Sequence, residues 1–234
     1  MREFTVLRLG IVGHEAVATE MVRLQQARLA EEIPDTLILV EHPEIVTVGP
    51  KGRRDGVVVP ESYVTAPIDR GGGLTWHGPG QLVGYPIFRW DLDGEANVAS
   101  VTSLLESWII AALSLLGVDS GRDPRMQGVW VAEHKVASIG LAFLKWVSRH
   151  GFTINYDTPA GRVESLAACG MEEGTTTSLA ALGRDGLTRV ALEEALLSTA
   201  AEVLHRSVGE VHECVGEVRE CATGAPWLLA RAKV

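Results

Sequence analysis

The sequence contains few cysteines and no excess of positive charge, and each shortage argues against a class of protein. Three cysteines occur among 234 residues, Cys169, Cys214 and Cys221, and no two of them are in C-x-x-C spacing. We therefore expect free thiols rather than a disulfide framework or a zinc site. The formal net charge is −9, whereas a nucleic-acid-binding domain shows a basic stripe, so no nucleic-acid partner is expected.

Signals for membranes, export, metals and nucleotides are also missing. No apolar run has the length needed to span a bilayer, and residues 1–4 do not lead into the apolar segment of a signal peptide. We therefore expect a cytoplasmic protein without membrane contact. The chain lacks H-E-x-x-H and other metal spacings, and it lacks the G-x-x-x-x-G-K-[ST] phosphate loop. Neither a metal nor another cofactor is expected.

The most informative stretch is a glycine-rich run at residues 70–81, R-G-G-G-L-T-W-H-G-P-G-Q, between strand-like segments at 63–69 and 82–88. Glycine lacks a Cβ, so such a run lets the backbone adopt positive φ or approach a ligand closely. A long glycine hairpin without a function would have the same composition. Arg70 and His77 frame the run, and these side chains favour a binding site.

Hydrophobic periodicity predicts one domain over residues 1–234, with a core at about 4–205 and a tail at 206–234 that packs back on it. A helix at 97–116, with Asn97 as N-cap, should be the longest in the core. The elements do not alternate as βαβ units, so we expect an α/β (α+β) fold with a mixed or largely antiparallel sheet and flanking helices. The predicted strands are 4–9, 36–40, 45–48, 63–69, 82–88, 128–132, 135–143 and 145–156, the last three as an antiparallel meander; other helices are 13–32, 188–205 and a short one ending at 182, and 51–56 and 119–127 are predicted loops.

Cys169 is the cysteine best placed for chemistry, because it lies in a loop of small residues beside Gly170, whose N–H can face an oxyanion. A thiol becomes a nucleophilic thiolate when a nearby cation stabilises it, but a lone cysteine is also often a small buried apolar residue. Cys214 and Cys221 lie in a glutamate-rich tail, where negative charge opposes thiolate formation, and are predicted to be structural. Lys135 begins a strand and, taken alone, would be solvated.

His77, His150, Glu41 and His42 are further candidates. A histidine beside glycines can orient another group as readily as it can act as a base. Cys169 with a histidine would suit a thiol protease, but the local patterns of those families are absent. The residues alone leave these alternatives open.

Taken in order, six segments of the chain resemble the lipoyl(octanoyl) transferase family. The glycine-rich run, followed by G-Y-P at 84–86, is similar to the hallmark loop of that family and is highly specific. The other segments are weaker alone but strong as a series, and the resemblance covers about residues 4–205. They are E-H-P at 41–43, G-V-W-V at 128–131, K-V-A-S-I-G at 135–140, H-G-F-T-I-N at 150–155, and C-G at 169–170 with T-S-L at 177–179.

The resemblance implies the α/β catalytic domain fold shared with biotin and lipoate protein ligases. It implies an acyltransferase that moves an octanoyl group from octanoyl-acyl carrier protein to a lysine on lipoyl domains of 2-oxoacid dehydrogenase E2 subunits and on the glycine cleavage H protein; we expect a monomer. By position, Cys169 would carry the acyl group as a thioester, and Lys135 would lower its pKa and shuttle protons. The implied substrate-binding residues are Arg70, Gly71, Gly72, Gly73, Leu74, Thr75, Trp76, His77, Ser138, Ile139, Gly140, Gly151, Phe152 and Thr153.

Some features depart from the family pattern. Ala168 precedes the nucleophile where proline is common, and Glu172 and Glu173 follow it, so Lys135 would need to lie close to offset their charge. Both protein partners are expected to be acidic, and so is this chain, which calls for a local basic patch. Two other functions fit these motifs: an ATP-dependent lipoate or biotin protein ligase, and a protein that binds lipoyl domains without turnover. The predicted patch consists of Arg53, Arg54, Lys145 and Arg149.

Overall fold

The computed structural model describes residues 1–166 and 172–214, and within these ranges the chain forms two β-sheets and four α-helices. The helices are α1 (His14–Leu29), α2 (Pro50–Arg54), α3 (Val98–Leu115) and α4 (Arg189–Leu204), and a 3₁₀ turn covers Ala180–Leu182. The strands are β1 (Arg2–Ile11), β2 (Asp35–Glu41), β3 (Ile45–Val48), β4 (Thr65–Pro67), β5 (Leu74–His77), β6 (Gln81–Ile87), β7 (Gly121–Asp123), β8 (Met126–Val131), β9 (His134–Leu144), β10 (Val147–Asn155) and β11 (Arg206–Cys214).

The larger sheet has eight strands in the order β11-β1-β2-β6-β10-β9-β8-β7, and the smaller one has the order β4-β3-β5. In the larger sheet β11, β1 and β2 are parallel, and every other neighbouring pair is antiparallel. The predicted mixed sheet and the meander of β8, β9 and β10 are therefore confirmed. The smaller sheet holds part of the glycine-rich run, because β5 pairs antiparallel with β3.

The larger sheet separates two hydrophobic cores. In β2, Leu37 and Leu39 pack in the core that contains α3 and α4, whereas Ile38 and Val40 pack in the core that contains α1. Successive side chains of a strand point to opposite faces, so a strand buried on both sides needs a continuous apolar run. The sequence L-I-L-V at 37–40 meets that requirement.

Helix α3 is the longest core helix, as its periodicity predicts. The Asn97 side chain accepts hydrogen bonds from the backbone N–H groups of the first turn, and Gly117 follows the helix with a φ of +72°. With 18 residues and a mean hydropathy of 1.6, α3 also meets the length and composition of a membrane span, so the prediction that no apolar run is long enough is wrong by this measure. Its buried face, which includes Leu105, Trp108 and Ile109, packs in the core with α4.

Three predicted boundaries are wrong for a common reason. The predicted loop at 51–56 contains α2, which begins at Pro50, a favoured first helical residue. The predicted loop at 119–127 contains β7, and the glycine-rich run contains β5. Each of these elements has five residues or fewer, which is too short for local periodicity to reveal.

Residues 206–214 are part of the sheet. Strand β11 pairs in parallel with β1, so the described fold extends past the predicted end of the core. Arg206 is fully buried and bonds to the carboxylates of Asp35 and Glu95. Cys214 ends β11 and is disulfide-bonded, so the expectation of a free thiol is wrong there.

Candidate active site

The Arg70 side chain holds the glycine-rich run in place through hydrogen bonds. Its Nη1 donates to the carbonyl oxygen of Gly71 at 2.9 Å, and its Nη2 donates to the carbonyl oxygen of Gly73 at 3.2 Å and to Thr47 Oγ1 at 3.1 Å. A Cβ at Gly140 of β9 would lie 2.8 Å from Arg70 Cδ, so only glycine leaves room for this side chain. Gly71 N–H also donates to a backbone carbonyl of β9, which removes it from the possible oxyanion donors.

Two adjoining cavities lie against the glycine-rich run. The inner cavity encloses about 330 Å³ and the outer cavity about 350 Å³, part of it open to solvent, and Thr75, Ser138 and Thr153 line both. All the predicted substrate-binding residues except Gly71, Gly72 and Gly73 line one cavity or the other. The inner cavity is further lined by His14, Ile68, Arg70, His77, Val83, Tyr85, Ile139, Gly140, His150, Gly151 and Phe152, and the outer by Leu74, Trp76, Gln81, Asn155, Val163, Leu166 and Thr176.

Lys135 lines neither cavity and is 6% exposed, contrary to the solvated lysine that its position alone predicts. Its backbone pairs with the segment that contains Thr176, a residue of the outer-cavity wall: Lys135 N–H donates to Thr175 O at 2.8 Å, and Thr177 N–H donates to Lys135 O at 3.0 Å. Gly128 adopts a φ of +132°, and a Cβ there would lie 2.5 Å from Lys135 Cε. The Lys135 side chain therefore packs over a position that only glycine can occupy.

A chain of buried hydrogen bonds joins the glycine-rich run to the strand segment beside Lys135. His77 Nδ1 lies 2.8 Å from Gln81 Oε1, Gln81 Nε2 donates to Asn155 Oδ1 at 2.8 Å, and Asn155 Nδ2 donates to Thr177 O at 3.0 Å. Because the Gln81 amide nitrogen already donates, its oxygen accepts, and His77 carries a proton on Nδ1. Sequence reasoning gave Gln81 and Asn155 no role; the available signal was an amide side chain within an otherwise apolar buried strand.

Three histidine rings, those of His14, His42 and His77, form a cluster at the inner cavity, with ring centroids 5.3 to 6.0 Å apart. Burial lowers the pKa of His14 and His42 to about 4 and lowers that of His77 well below its usual value. The neighbouring rings and the Arg70 guanidinium add to the lowering for His14 and His77. The cluster is therefore neutral at pH 7. Among the residues that the structure describes, no three or more histidine, cysteine, aspartate or glutamate side chains are arranged so that they could hold a metal ion.

Glu41 and His42 hold neighbouring elements together rather than facing a cavity. His42 Nδ1 lies 2.7 Å from the carbonyl oxygen of Val12 and therefore donates to it, which leaves Nε2 to accept from the Tyr85 hydroxyl at 2.8 Å. Glu41 Oε1 accepts from the Tyr156 hydroxyl at 2.6 Å. Neither residue lines the inner or the outer cavity. Their geometry indicates a structural role.

His150 is a histidine candidate that lies in a cavity wall. Its Nε2 is 2.7 Å from Asp69 Oδ1, and Arg149 pairs with the same carboxylate. Burial lowers the pKa of His150, although the Asp69 carboxylate opposes this. Arg149 and Arg53 of the predicted basic patch are thus partly engaged within the chain, since Arg53 donates to the carbonyl oxygen of Ile68 at 2.9 Å. Arg54 and Lys145 are exposed.

Cys169 and Ala168 lie outside the described residues. On one side of that gap Leu166 is buried and lines the outer cavity. On the other side the side chains of Glu172 and Glu173 are exposed to solvent, where water and salt screen their charge. The described part of the site is thus a double cavity lined by apolar and polar side chains, with neutral histidines in the inner part and the buried Lys135 paired through its backbone with Thr176 of the outer wall.

The chain is similar to known proteins in both sequence and structure. The family model of the lipoyl protein ligase A/B catalytic domain matches residues 14–201. The octanoyltransferase of Solibacter usitatus is 35% identical over 201 residues, which cover 83% of this chain and 88% of that protein. The bipartite lipoate protein ligase of Thermoplasma acidophilum has a TM-score of 0.66 at 16% identity, covering 96% of this chain and 92% of that one.

The biotin protein ligase of Aquifex aeolicus is more distant, with a TM-score of 0.53 at 12% identity over 88% of this chain and 70% of that one. At these identities the solved structures establish the fold, and the predicted fold of biotin and lipoate protein ligases is confirmed. The matched family model and the identity to a relative over most of both chains establish the family. The chain belongs to the lipoyl protein ligase A/B catalytic domain family.

Proposed function

We propose that the protein is an octanoyltransferase, which moves an octanoyl group from octanoyl-acyl carrier protein to a specific lysine of lipoyl domains. The observation that carries the proposal is a buried lysine, Lys135, whose backbone pairs with Thr176 in the wall of the outer cavity, in a chain that is 35% identical to an octanoyltransferase over 201 residues. The acceptors would be E2 subunits of 2-oxoacid dehydrogenases and the glycine cleavage H protein. The chain would act as a single domain and a monomer in the cytoplasm, without a metal or another cofactor.

The acyl chain would lie mainly in the inner cavity, and the thioester group would lie in the outer one. Apolar side chains such as Ile139 and Phe152 line the inner cavity, and Leu74 and Trp76 line the outer one. Burying each methylene stabilises the bound acyl group by about 0.8 kcal/mol, so a linear chain gains affinity along the whole cavity. The thioester end would then lie towards Thr176. The backbone of Thr176 pairs with that of Lys135.

The chemistry would proceed in two steps through Cys169. The Cys169 thiolate attacks the thioester carbonyl of the donor, and collapse of the tetrahedral oxyanion breaks the bond to the carrier sulfur, which leaves as a thiolate and takes up a proton. The amine of the acceptor lysine then attacks the enzyme thioester, an amide bond forms, and the Cys169 sulfur leaves. Lys135 would stabilise the thiolate as a cation and carry the proton that the amine loses.

The buried environment supports this role for Lys135. Gly128 leaves space for the lysine stem, and the backbone bonds to Thr175 and Thr177 fix the strand that carries it. A positioned cation in a site with little water interacts more strongly with a thiolate than it would in solvent. The substitution of alanine for proline at Ala168 and the exposed pair Glu172 and Glu173 do not remove that cation.

An ATP-dependent lipoate ligase is the second candidate, since the solved structures with this fold include a lipoate protein ligase. A ligase activates the free acid with ATP, whereas a transferase starts from a thioester and needs no ATP. Product formation from octanoyl-acyl carrier protein in the absence of ATP therefore separates the two. A protein that only binds lipoyl domains would give no product in either assay.

The covalent intermediate tests the proposal directly. Mixing the protein with octanoyl-acyl carrier protein and no acceptor should leave one octanoyl group on the peptide that contains Cys169, and neutral hydroxylamine should remove it. Adding a lipoyl domain should discharge the adduct at the rate of turnover. Cys169→Ser should lose nearly all transfer, and the matched control Cys221→Ser should retain it. Transfer by the Cys169→Ser variant at the wild-type rate would mean direct attack by the acceptor lysine.

A further inference from the structure

The inner cavity adjoins a cleft at the protein surface, and the residues shared by the two form the wall between them. A surface cleft is lined by residues of α1, α2 and the segment around β4, and Ile68 and His150 line both this cleft and the inner cavity. The His150 ring is thus in contact with the cavity on one side and with the cleft on the other. The remaining residues of the cleft are Ala18, Val22, Arg53, Pro67, Asp69 and Arg149.

His150 is held in this wall by specific interactions. Its Nε2 bonds to Asp69 Oδ1 at 2.7 Å, and Arg149 holds the other oxygen of the same carboxylate. Its backbone has a φ of +59°, a left-handed conformation that costs a non-glycine residue about 1 kcal/mol or more. A strained residue in an otherwise regular strand persists only where contacts with its surroundings hold it, and the bond to Asp69 is such a contact.

The wall lies at a defined distance from the outer cavity. Thr153 lines both cavities, and His150 lies three residues before it on β10. At about 3.3 Å per residue the two positions are about 10 Å apart, close to the length of an extended eight-carbon chain. A chain that enters past Thr153 and lies along β10 therefore ends at the His150 ring.

We propose that His150, held by Asp69, closes the far end of the acyl cavity and sets the longest acyl chain that the enzyme accepts. The substrate class is the straight-chain acyl thioesters of about eight carbons, and longer chains are excluded because their last methylenes would meet the ring. This inference rests on the proposed function, since it assumes that the inner cavity receives the acyl chain. Removing the ring would let a longer chain pass into the surface cleft.

The variant His150→Gly tests the wall. Glycine removes the ring and accepts the positive φ, and Asp69 keeps its pair with Arg149, so the fold should be retained. His205→Gly is the matched control, because His205 is an exposed histidine with a φ of +53° outside both cavities. Transfer from carrier protein charged with eight-, ten- or twelve-carbon chains would be measured by mass spectrometry of the acceptor.

In His150→Gly the ratio of ten-carbon to eight-carbon transfer should rise by roughly tenfold, since each newly accommodated methylene contributes up to about fourfold. His205→Gly should keep the wild-type ratio. Asp69→Ala, which leaves the ring but removes its partner, should shift the ratio in the same direction by a smaller factor. An unchanged ratio in His150→Gly would overturn the assignment of the wall, and an unchanged ratio in Asp69→Ala alone would overturn the holding role of Asp69.

A binding measurement separates this inference from the proposed function. Octanoic acid and dodecanoic acid, added to wild type and His150→Gly, should raise the melting temperature according to their affinities. Wild type should respond more to octanoic acid, and the variant should gain its response to dodecanoic acid. Absence of any transfer with this gain present would refute the transferase and retain the wall, whereas transfer without the gain would refute the wall.

Discussion

Lowering the pH from 7 to 5 should destabilise the protein through its buried histidine cluster. His14 and His42 have pKa values of about 4 in the folded chain, against 6.5 for an unperturbed histidine, because burial disfavours the charged ring. Between pH 6.5 and pH 4 the unfolded chain therefore binds protons that the folded chain does not. The free energy of unfolding then rises with pH in this window, and stability is lost as the pH falls through it.

The size of the loss follows from these values. From pH 7 to pH 5 an unfolded histidine takes up most of one proton while a folded ring of pKa about 4 takes up little, which removes about 2 kcal/mol of unfolding free energy per residue. His14 and His42 together then account for about 4 kcal/mol, or about 10 °C in melting temperature for a chain of this length. The lowered carboxyl pKa values of Glu44 and Asp69 matter only at more acidic pH, because an unfolded carboxyl group begins to protonate near pH 4.

Thermal melts at pH 7, 6 and 5 in matched ionic strength would check this expectation. The variant His14→Gln keeps a polar side chain but cannot take up a proton, so the pH-dependent loss should fall by about 2 kcal/mol. His212→Gln makes the same change on β11, outside the cluster, and should leave the loss as in wild type. A melting temperature that does not change between pH 7 and pH 5, or an unaltered slope in His14→Gln, would refute the reasoning.

Three further outcomes are expected. Arg206→Leu should lower the free energy of unfolding by about 3–5 kcal/mol in urea titration, because the buried Glu95 would lose its cation and Asp35 would lose one of its arginine partners, keeping Arg28; a loss below about 1 kcal/mol would contradict that pairing. Lys135→Ala should reduce octanoyl transfer by roughly 10²–10⁴-fold with little change in the melt, and a fully active variant would remove Lys135 from the mechanism. Raising the salt concentration, or introducing Arg54→Glu, should raise the apparent KM for acyl carrier protein, since exposed charges are screened beyond about 8 Å at physiological ionic strength; a flat response would argue against steering by this patch.

Much of the fold could be predicted from local pattern. The helix α3 and the meander of β8, β9 and β10 have long periodic segments with clear caps and turns, so their existence followed from periodicity. The short elements α2, β5 and β7 could not be predicted in this way, because segments of three to five residues carry too little periodicity. The parallel pairing of β11 with β1 likewise joins the two ends of the described chain, and no local signal marks it.

The candidate site, like the fold, was predicted only in part from the sequence. Its lining residues were predicted through a family motif. Local position alone predicted a solvated Lys135, and it left open whether Cys169 is a nucleophile or a small buried residue. Contacts between distant segments could not be predicted, and these decide the protonation of the cluster and the wall at His150. The bond from Asn155 to Thr177 and the one from His150 to Asp69 join residues 22 and 81 positions apart.

The parallel pairing of β1 with β11 also has a consequence for synthesis. Arg2 pairs with Arg206, so β1 is synthesised about 200 residues before its partner β11. At usual elongation rates this interval lasts roughly 10 s or more. During that interval the outer edge of β1 has unpaired N–H and C=O groups, and such an edge can pair with a strand of another chain. A nascent chain that stops before residue 206 would keep that edge open and would also lack the arginine that compensates two buried carboxylates. Chaperone demand and loss to aggregation should therefore be concentrated in incomplete chains rather than in the released protein.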